Sequence, residues 1–267
     1  MKRGFYTIMS AQFFSSLADN ALFVAAVELL RTSGAPEWQR AALVPMFALF
    51  YVVLAPFVGA FADALPKGRV MFFSNAIKIV GCLMMLFGSH PLIAYAVVGL
   101  GAAAYSPAKY GILTELLPAS QLVKANGWIE GLTIASIILG VLLGGQLVGH
   151  HLSAALLSID IPMIDFGIHT AAEAAIAALI LVYALAAWFN TRIPHTGVEM
   201  RPLRQHPQRS ILASTLALLP DFWACNSRLW HDKLGQISLS TTTLFWGAGG
   251  NLKFIVLAWA AVALGYN

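Results

Sequence analysis

Charged and amide side chains lie inside several long apolar stretches of this sequence. The set combines carboxylates, ammonium groups and amides: Asp19, Glu130, Lys78, Lys109, Lys253, Asn20, Asn75 and Asn126. An ionisable group in hydrocarbon costs at least about 2.5–3.5 kcal/mol on insertion scales, so such groups usually face a cavity and have partners. The lysines could bind a phosphate, and the carboxylates could bind an ammonium group. Alternatively, the opposite charges pair with one another and hold a bundle of helices together.

The composition indicates a membrane protein. Hydrophobic residues make up 59% of the chain and charged residues 10%, and the mean hydropathy is +0.75. Soluble domains average about 25% charged residues, so we predict an all-α, polytopic membrane protein. The formal net charge of +4 is small, and we expect no nucleic-acid partner.

Catalytic and metal-binding patterns are lacking in the sequence. Cys82 and Cys225 give neither a disulfide framework nor a metal-ligand spacing. No nucleophile–base constellation is present either. We therefore expect a transporter that uses no cofactor or metal, rather than an enzyme.

Seven stretches are apolar and long enough to cross a bilayer, which needs about 20 residues. They cover residues 7–31, 40–62, 69–88, 91–117, 124–149, 168–190 and 238–264. The loops between them predict the orientation, because cytoplasmic loops carry an excess of Lys and Arg. With a cytoplasmic N-terminus, eleven such residues lie inside and two, Arg31 and Arg40, lie outside. We therefore predict that the N-terminus is cytoplasmic.

The predicted spans divide the chain into unequal parts. Residues 1–190 form a six-helix half, residues 191–237 a cytoplasmic linker, and residues 238–267 the first helix of a second half. Within the linker, residues 210–231 mix Leu and Trp with charged side chains, which fits a helix on the inner membrane surface or a soluble helix under the bundle. Six spans followed by a lone span suggest the N-terminal part of a longer protein. The alternative is a seven-span protein.

Lys109 lies within the stretch AAAYSPAKYGIL of residues 102–113. At 1.5 Å per residue, it is about 27 Å along the predicted helix from Pro91. A lysine stem can carry its ammonium to the membrane interface, which is the simplest explanation. However, leucines still separate Lys109 from the end of the span, and Pro107 removes a backbone donor. Freed backbone is tolerated where a helix lines a cavity or meets a neighbour, so a binding site is the other explanation.

The connection between the second and third predicted spans reads Gly59-Ala-Phe-Ala-Asp63-Ala-Leu-Pro-Lys67-Gly68-Arg69. It resembles the glycine–aspartate–basic signature between helices 2 and 3 of the major facilitator superfamily. The resemblance implies twelve spans in two six-helix halves joined by a long cytoplasmic loop. The residues of this helix 2–3 loop motif are Gly59, Asp63, Lys67, Gly68 and Arg69.

Further blocks run along most of the chain. They are DNAL at 19–22, APFVG at 55–59, KGRVM at 67–71, GAAAYSPAKYGIL at 101–113, LVKANG at 122–127 and LFWGAG at 244–249. Together they resemble the bacterial lysophospholipid transporter (LplT) family. The resemblance implies a flippase that moves lysophospholipids, chiefly lysophosphatidylethanolamine, from the outer to the inner leaflet of the inner membrane. It also implies a cytoplasmic acyltransferase/acyl-carrier-protein synthetase partner that re-acylates them.

The same resemblance implies roles for single residues. The aspartate of helix 1 in the family falls on Asp19, the SPAKYG lysine on Lys109, and the basic residue of helix 7 on Lys253. Family members carry arginine at the last position, so Lys253 keeps the charge but loses the planar fork that binds phosphate bidentately. The predicted substrate-binding residues are Asp19, Asn20, Lys78, Lys109, Glu130 and Lys253.

Two other functions are compatible with the sequence. One is a drug or solute efflux carrier of the same fold, driven by protons through Asp19 or Glu130. The other is a non-transporting fragment or a membrane anchor for a partner acyltransferase.

Overall fold

The computed structural model describes residues 3–158, 168–198, 200 and 211–263. For Arg3, residues 211–212 and most residues from 249 onward, the description covers the backbone alone. All regular structure in these ranges is helical, which confirms the predicted all-α class. The helices are α1 (Arg3–Thr32), α2 (Glu37–Val53), α3 (Ala55–Ala64), α4 (Lys67–Leu86), α5 (Pro91–Leu116), α6 (Ala119–Val148), α7 (His150–Leu157), α8 (Ala171–Thr191), α9 (Ile211–Leu216), α10 (Leu218–His231) and α11 (Lys233–Ala263).

Five of the described helices are long and apolar enough to cross a membrane, namely α1, α4, α5, α6 and α8. The bent pair α2 and α3 makes a sixth span when the two helices are counted together. These helices lie where the first six spans are predicted. The seventh predicted span, residues 238–264, overlaps α11 up to Ala263, but many of its side chains are outside the described residues, and it stays a prediction.

The second span is a broken helix rather than a continuous one. Helices α2 and α3 meet at Leu54 with a bend of 65°. Pro56 lies in the first turn of α3 and has no amide hydrogen, so it cannot donate the backbone bond that a continuous helix requires. A proline is well tolerated at a helix start, and the break places Pro56 at such a position.

The first compact unit comprises Met1–Pro207 and contains α1 to α8. Helix α1 packs against α6 and α8, and α4 packs against α5 and α8. The backbones approach closely at glycines: a Cβ at Gly140 would lie 2.6 Å from the carbonyl oxygen of Leu17, and one at Gly144 2.7 Å from that of Ala21. Small residues at such positions are typical of membrane helix interfaces. This packing holds α1 and α4 on adjacent sides of α8, which brings their polar side chains together.

The first unit extends beyond residue 190, where the sequence places the end of the six-helix half. Ile193 is buried in the hydrophobic core of this unit. The hydroxyl of Thr196 donates a hydrogen bond of 2.6 Å to the carboxylate of Glu115 at the end of α5. The residues directly after α8 therefore belong to the first unit, because they are held to it by apolar and polar contacts.

The second compact unit comprises Gln208–Asn267 and contains α9, α10 and α11. Helix α10 forms inside the range 210–231, where the sequence favours a helix, and its Trp223 and Trp230 are exposed. The carboxylate of Asp232 accepts a hydrogen bond of 2.7 Å from the amide of Gly235, which satisfies a free donor at the start of α11. A position of α10 at the membrane surface stays a prediction.

Candidate functional site

An ion pair joins α1 to α4 inside the helix bundle. The ammonium of Lys78 lies 2.8 Å from a carboxylate oxygen of Asp19, and their side chains are 2% and 18% exposed. Counting residues along the predicted helices places both near mid-depth of the membrane. The structure brings these two predicted site residues into direct contact.

Three further side chains complete what we call the core network, defined as Ser15, Asp19, Asn75, Lys78 and Tyr183. The ammonium of Lys78 donates to the hydroxyl of Ser15 at 3.0 Å, and that hydroxyl donates to the amide oxygen of Asn75 at 2.7 Å. The hydroxyl of Tyr183 on α8 donates to the second carboxylate oxygen of Asp19 at 2.7 Å. The core network therefore connects three helices and compensates both the buried ammonium of Lys78 and the partly buried carboxylate of Asp19.

Sequence reasoning did not assign a role to Tyr183 or Ser15. The available signal for Tyr183 was its position as the lone hydroxyl in the apolar run LILVYALAA of residues 179–187. A buried tyrosine hydroxyl usually finds a hydrogen-bond partner, so a tyrosine at this depth could have been paired with a carboxylate on another helix. Its ring also lies 5.6 Å from the ammonium of Lys78, within the range of a cation–π contact.

Lys109 on α5 is buried in a different environment. Only 8% of this residue is exposed, so most of its side chain is packed inside the first unit. Its ammonium lies 4.3 Å from the centre of the Tyr110 ring. Among the residues that the structure describes, it forms no hydrogen bond or ion pair.

Glu130 on α6 is linked to Lys109 through Tyr110, the residue that follows Lys109 on α5. It accepts a hydrogen bond of 2.7 Å from the hydroxyl of Tyr110. Lys109, Tyr110 and Glu130 together form what we call the Lys109 cluster. The cluster presents one ammonium and one carboxylate, which is a charge pattern suited to a zwitterion.

The remaining predicted site residues are not part of either group in the described contacts. The amide of Asn20 donates to the carbonyl of Ser16 on its own helix at 2.8 Å. Asn126 is exposed near the start of α6. Lys253 lies in α11, but its side chain is outside the described residues.

The helix 2–3 loop motif forms a second polar centre at one end of the first unit. The ammonium of Lys67 lies 2.5 Å from a carboxylate oxygen of Asp63 and 3.7 Å from one of Glu115. It also donates to the carbonyl of Ala62 at 2.8 Å. Gly68 allows α8 to approach, because a Cβ there would lie 3.1 Å from the carbonyl oxygen of Asn190. Gly59 has open space around it, and Arg69 is exposed.

The chemistry available in the described part of the chain is recognition of charged groups. In the described ranges, no cluster of three or more His, Cys, Asp or Glu side chains could hold a metal ion. The charged side chains instead lie between apolar helices that can cross a membrane several times. This arrangement is that of a multi-pass membrane protein, in which ionisable groups face the interior of the helix bundle and pair there or mark a substrate path.

The chain belongs to the Major Facilitator Superfamily, whose family model matches residues 8–267. It is also similar to individual transporters from bacteria. It is 40% identical over 265 residues to the lysophospholipid transporter LplT of Yersinia enterocolitica serotype O:8, which covers 99% of this chain and 59% of that relative. It is likewise 40% identical over 265 residues to the LplT proteins of Yersinia pestis strain Pestoides F and Yersinia pseudotuberculosis serotype O:3, with 58% of each relative covered. The chain therefore spans about three fifths of the length of these curated relatives.

Proposed function

We propose that this chain is part of a carrier that moves lysophospholipids, chiefly lysophosphatidylethanolamine, from the outer to the inner leaflet of a bacterial inner membrane. Membership of the Major Facilitator Superfamily supports transport as the activity. The substrate follows from the LplT relatives, which are 40% identical and are named for lysophospholipids. The excess of Lys and Arg in alternate loops supports a cytoplasmic N-terminus.

One observation carries the assignment of the headgroup site: Lys109 is a largely buried residue, and its ammonium lacks an anionic partner among the described residues. A buried charge is costly unless it is paired, so a ligand that supplies an anion would compensate it. The phosphate of the headgroup fits this role. The primary ammonium of phosphoethanolamine would then bind the carboxylate of Glu130, which already accepts one hydrogen bond from Tyr110. A carboxylate has room for further donors.

The core network has a different part in this proposal. The ammonium of Lys78 is already compensated by Asp19 at 2.8 Å and by Ser15 at 3.0 Å. A headgroup phosphate could reach Lys78 only by displacing Asp19 from it. In this proposal the headgroup binds first to Lys109 and Glu130. The path that the lipid takes through the helix bundle is lined or shaped by Asp19, Asn20 and Lys78.

The uptake of labelled lysophosphatidylethanolamine into spheroplasts tests the headgroup site. The full-length protein, its Lys109→Ala variant and a Lys124→Ala variant are compared at equal membrane levels. Lys124 is a matched control, because it is an exposed lysine near the start of α6. We expect uptake to fall at least about tenfold in Lys109→Ala, the loss of one charge-assisted contact, and to be unchanged in Lys124→Ala. Equal uptake by all three proteins would rule out Lys109 as a ligand.

Competition separates this function from drug or solute efflux. An excess of unlabelled lysophosphatidylethanolamine should block uptake, whereas cationic drugs should not. Inhibition by drugs together with dependence on a proton gradient would favour the efflux carrier instead.

We also propose that a cytoplasmic acyltransferase/acyl-carrier-protein synthetase consumes the transported lipid. A single-chain lipid that enters the inner leaflet must be re-acylated before it becomes a bilayer phospholipid. Conversion of the imported label to diacyl lipid should therefore depend on such an enzyme, while uptake itself should continue without it for the first turnovers. Uptake that stops at once when the enzyme is removed would indicate direct coupling between the two proteins.

A further inference from the structure

A cavity of about 770 Å³ opens at the end of the first unit that carries the helix 2–3 loop motif. It is bounded by the start of α4, the end of α5 and the segment that follows α8. The residues that matter for its chemistry are Arg69, Phe72, Phe73, Glu115, Asn190 and His195. The cavity is separate from the Lys109 cluster, because none of the three residues of that cluster lines it.

The first turn of α4 forms part of the cavity wall. Its cap residue, Pro66, provides no side-chain hydrogen bond to the helix. In the described part of the chain, the backbone amides of Lys67 and Gly68 have no acceptor, while those of Arg69 and Val70 bond to the carbonyl of Pro66. Free amides at a helix start carry a partial positive charge and favour anions, phosphate in particular.

Asn190 provides a second, independent observation in the same cavity. It is 1% exposed, and neither its amide nitrogen nor its amide oxygen has a hydrogen-bond partner among the described residues. A buried amide without partners loses its hydrogen bonds to water and gains none in return, so such groups are rare without a reason. A bound molecule with hydrogen-bonding oxygens would satisfy the amide nitrogen of Asn190.

The charges of the cavity leave one cation uncompensated. The carboxylates of Asp63 and Glu115 are both held by Lys67, and that of Glu115 also accepts from Thr196 at 2.6 Å. Arg69 lines the cavity, and within the described ranges its guanidinium forms no ion pair. A guanidinium matches the geometry of two phosphate oxygens.

We propose that this cavity binds a phosphate group, through the guanidinium of Arg69, the free amides at the start of α4 and the side chain of Asn190. The phosphate belongs either to a membrane lipid or to a free phosphate in solution. A lipid is compatible with the apolar part of the wall, which includes Phe73, a residue that is 48% exposed. The proposal concerns a site beyond the headgroup site at Lys109 and does not depend on the transported substrate.

Thermal unfolding of the purified chain in detergent, in buffer without phosphate, tests the site. One arm adds inorganic phosphate at constant ionic strength. The other adds dioctanoyl phosphatidic acid or, as the matched lipid without phosphate, dioctanoylglycerol. Stabilisation that saturates with inorganic phosphate supports a site for the phosphate group alone. Saturable stabilisation by phosphatidic acid only, and not by dioctanoylglycerol, supports the same site with a lipid as its occupant.

Substitutions assign the stabilisation to the cavity. We expect Arg69→Gln to weaken the apparent affinity for the stabilising ligand at least about tenfold, because it removes a charge-assisted contact. Arg192→Gln is the matched control. Arg192 directly follows α8, close to Asn190 in the chain, but it does not line the cavity, and its guanidinium lies 4.5 Å from the centre of the Trp188 ring. No saturable stabilisation, or the same affinity in Arg69→Gln as in the unaltered chain, would overturn the proposal.

Asn190→Leu distinguishes a ligand role from a structural one. Without ligand, the variant should unfold at the same temperature as the unaltered chain or at a higher one, because the unpaired buried amide is gone. With saturating ligand, the unaltered chain should become the more stable of the two. A difference between the two proteins that is constant at every ligand concentration would contradict a role of Asn190 in binding.

Discussion

Lys78 and Lys109 are both buried lysines of the first unit, but the groups around their ammonium nitrogens differ. Lys78 has a carboxylate oxygen at 2.8 Å, a hydroxyl at 3.0 Å and two aromatic rings within 6 Å. Lys109 has the ring of Tyr110 at 4.3 Å and, among the described residues, no hydrogen bond or ion pair. Their exposed fractions, 1% and 8%, are both small. Burial alone therefore does not distinguish the two lysines. They differ in whether hydrogen-bond and ion-pair partners compensate the ammonium charge.

This difference teaches how the same residue type can serve structure in one place and binding in another. The core network compensates Lys78 internally, so it can hold α1, α4 and α8 together without a ligand. The Lys109 cluster keeps its ammonium uncompensated within the described contacts. A charge that is left without a partner in a buried place is suited to a ligand that brings the partner with it. Stability measurements should therefore respond to the core network, and transport should respond to the Lys109 cluster.

The largest effect is expected for Asp19→Ala. The substitution leaves the ammonium of Lys78 buried without its carboxylate, and breaking one partner of a buried ion pair costs about 3–5 kcal/mol. The free energy of unfolding in detergent, from denaturant titration, measures this loss. Glu28→Ala is the control, because the partner of Glu28, Arg31, is 61% exposed and such surface pairs contribute little to stability. A loss in Asp19→Ala no larger than in Glu28→Ala would show that the core network does not stabilise the bundle.

Replacing both partners should be milder than replacing one. The double variant Asp19→Leu with Lys78→Met removes the charges together and fills the space with apolar side chains. Replacing a buried pair in this way is often neutral, so we expect the double variant to recover at least about 2 kcal/mol relative to Asp19→Ala. The same denaturant titration measures the recovery. A double variant as unstable as the single one would indicate that Ser15, Asn75 and Tyr183 require the charges for their own hydrogen bonds.

The sequence predicts the depth of the charged residues but not their partners. Counting 1.5 Å per residue correctly places Asp19 and Lys78 at similar depth. Their contact also requires the rotation of α1 and α4 about their axes, which depends on close packing at residues such as Gly140 against Leu17. That rotation is a property of the assembled bundle, so the choice of Lys78 rather than Lys109 as the partner of Asp19 could not be read from one helix at a time.

The effect of each proline on its helix could not be predicted from the sequence either. Pro107 lies inside α5, which continues without interruption, whereas α2 and α3 are separated by a bend next to Pro56. Helix α5 packs against α1, α2, α3, α4 and α6, while the second span contacts mainly α5. Neighbouring helices can compensate backbone groups that a proline frees, but α2 in the second span also continues past Pro45, so a proline by itself does not determine where a helix breaks. The sequence shows the proline but not this packing.

Glu130→Gln tests the Lys109 cluster through its selectivity for lipid headgroups. This prediction rests on the proposed function. The substitution removes the carboxylate that would bind the ammonium of phosphoethanolamine, but it keeps the size of the side chain. We expect the preference for lysophosphatidylethanolamine over lysophosphatidylglycerol, which has no ammonium, to fall about tenfold. Competition in the spheroplast uptake assay measures this preference. Glu37→Gln, which alters an exposed acid at the start of α2, should leave it unchanged, and equal loss of both substrates in Glu130→Gln would contradict the role.

The smallest and sharpest comparison uses two tyrosines that each donate one hydrogen bond of 2.7 Å to a carboxylate, Tyr183 to Asp19 and Tyr110 to Glu130. Tyr183→Phe should lower the free energy of unfolding by about 0.6 kcal/mol, the average for side-chain hydrogen bonds inside membrane proteins. Tyr110 is 39% exposed, so Tyr110→Phe leaves Glu130 open to other donors and should change stability by less than that. Both variants keep the aromatic ring, so the difference in denaturant midpoint isolates the hydroxyl. If the two substitutions cost the same, Glu130 depends on its tyrosine as Asp19 does, and the Lys109 cluster would be as structural as the core network.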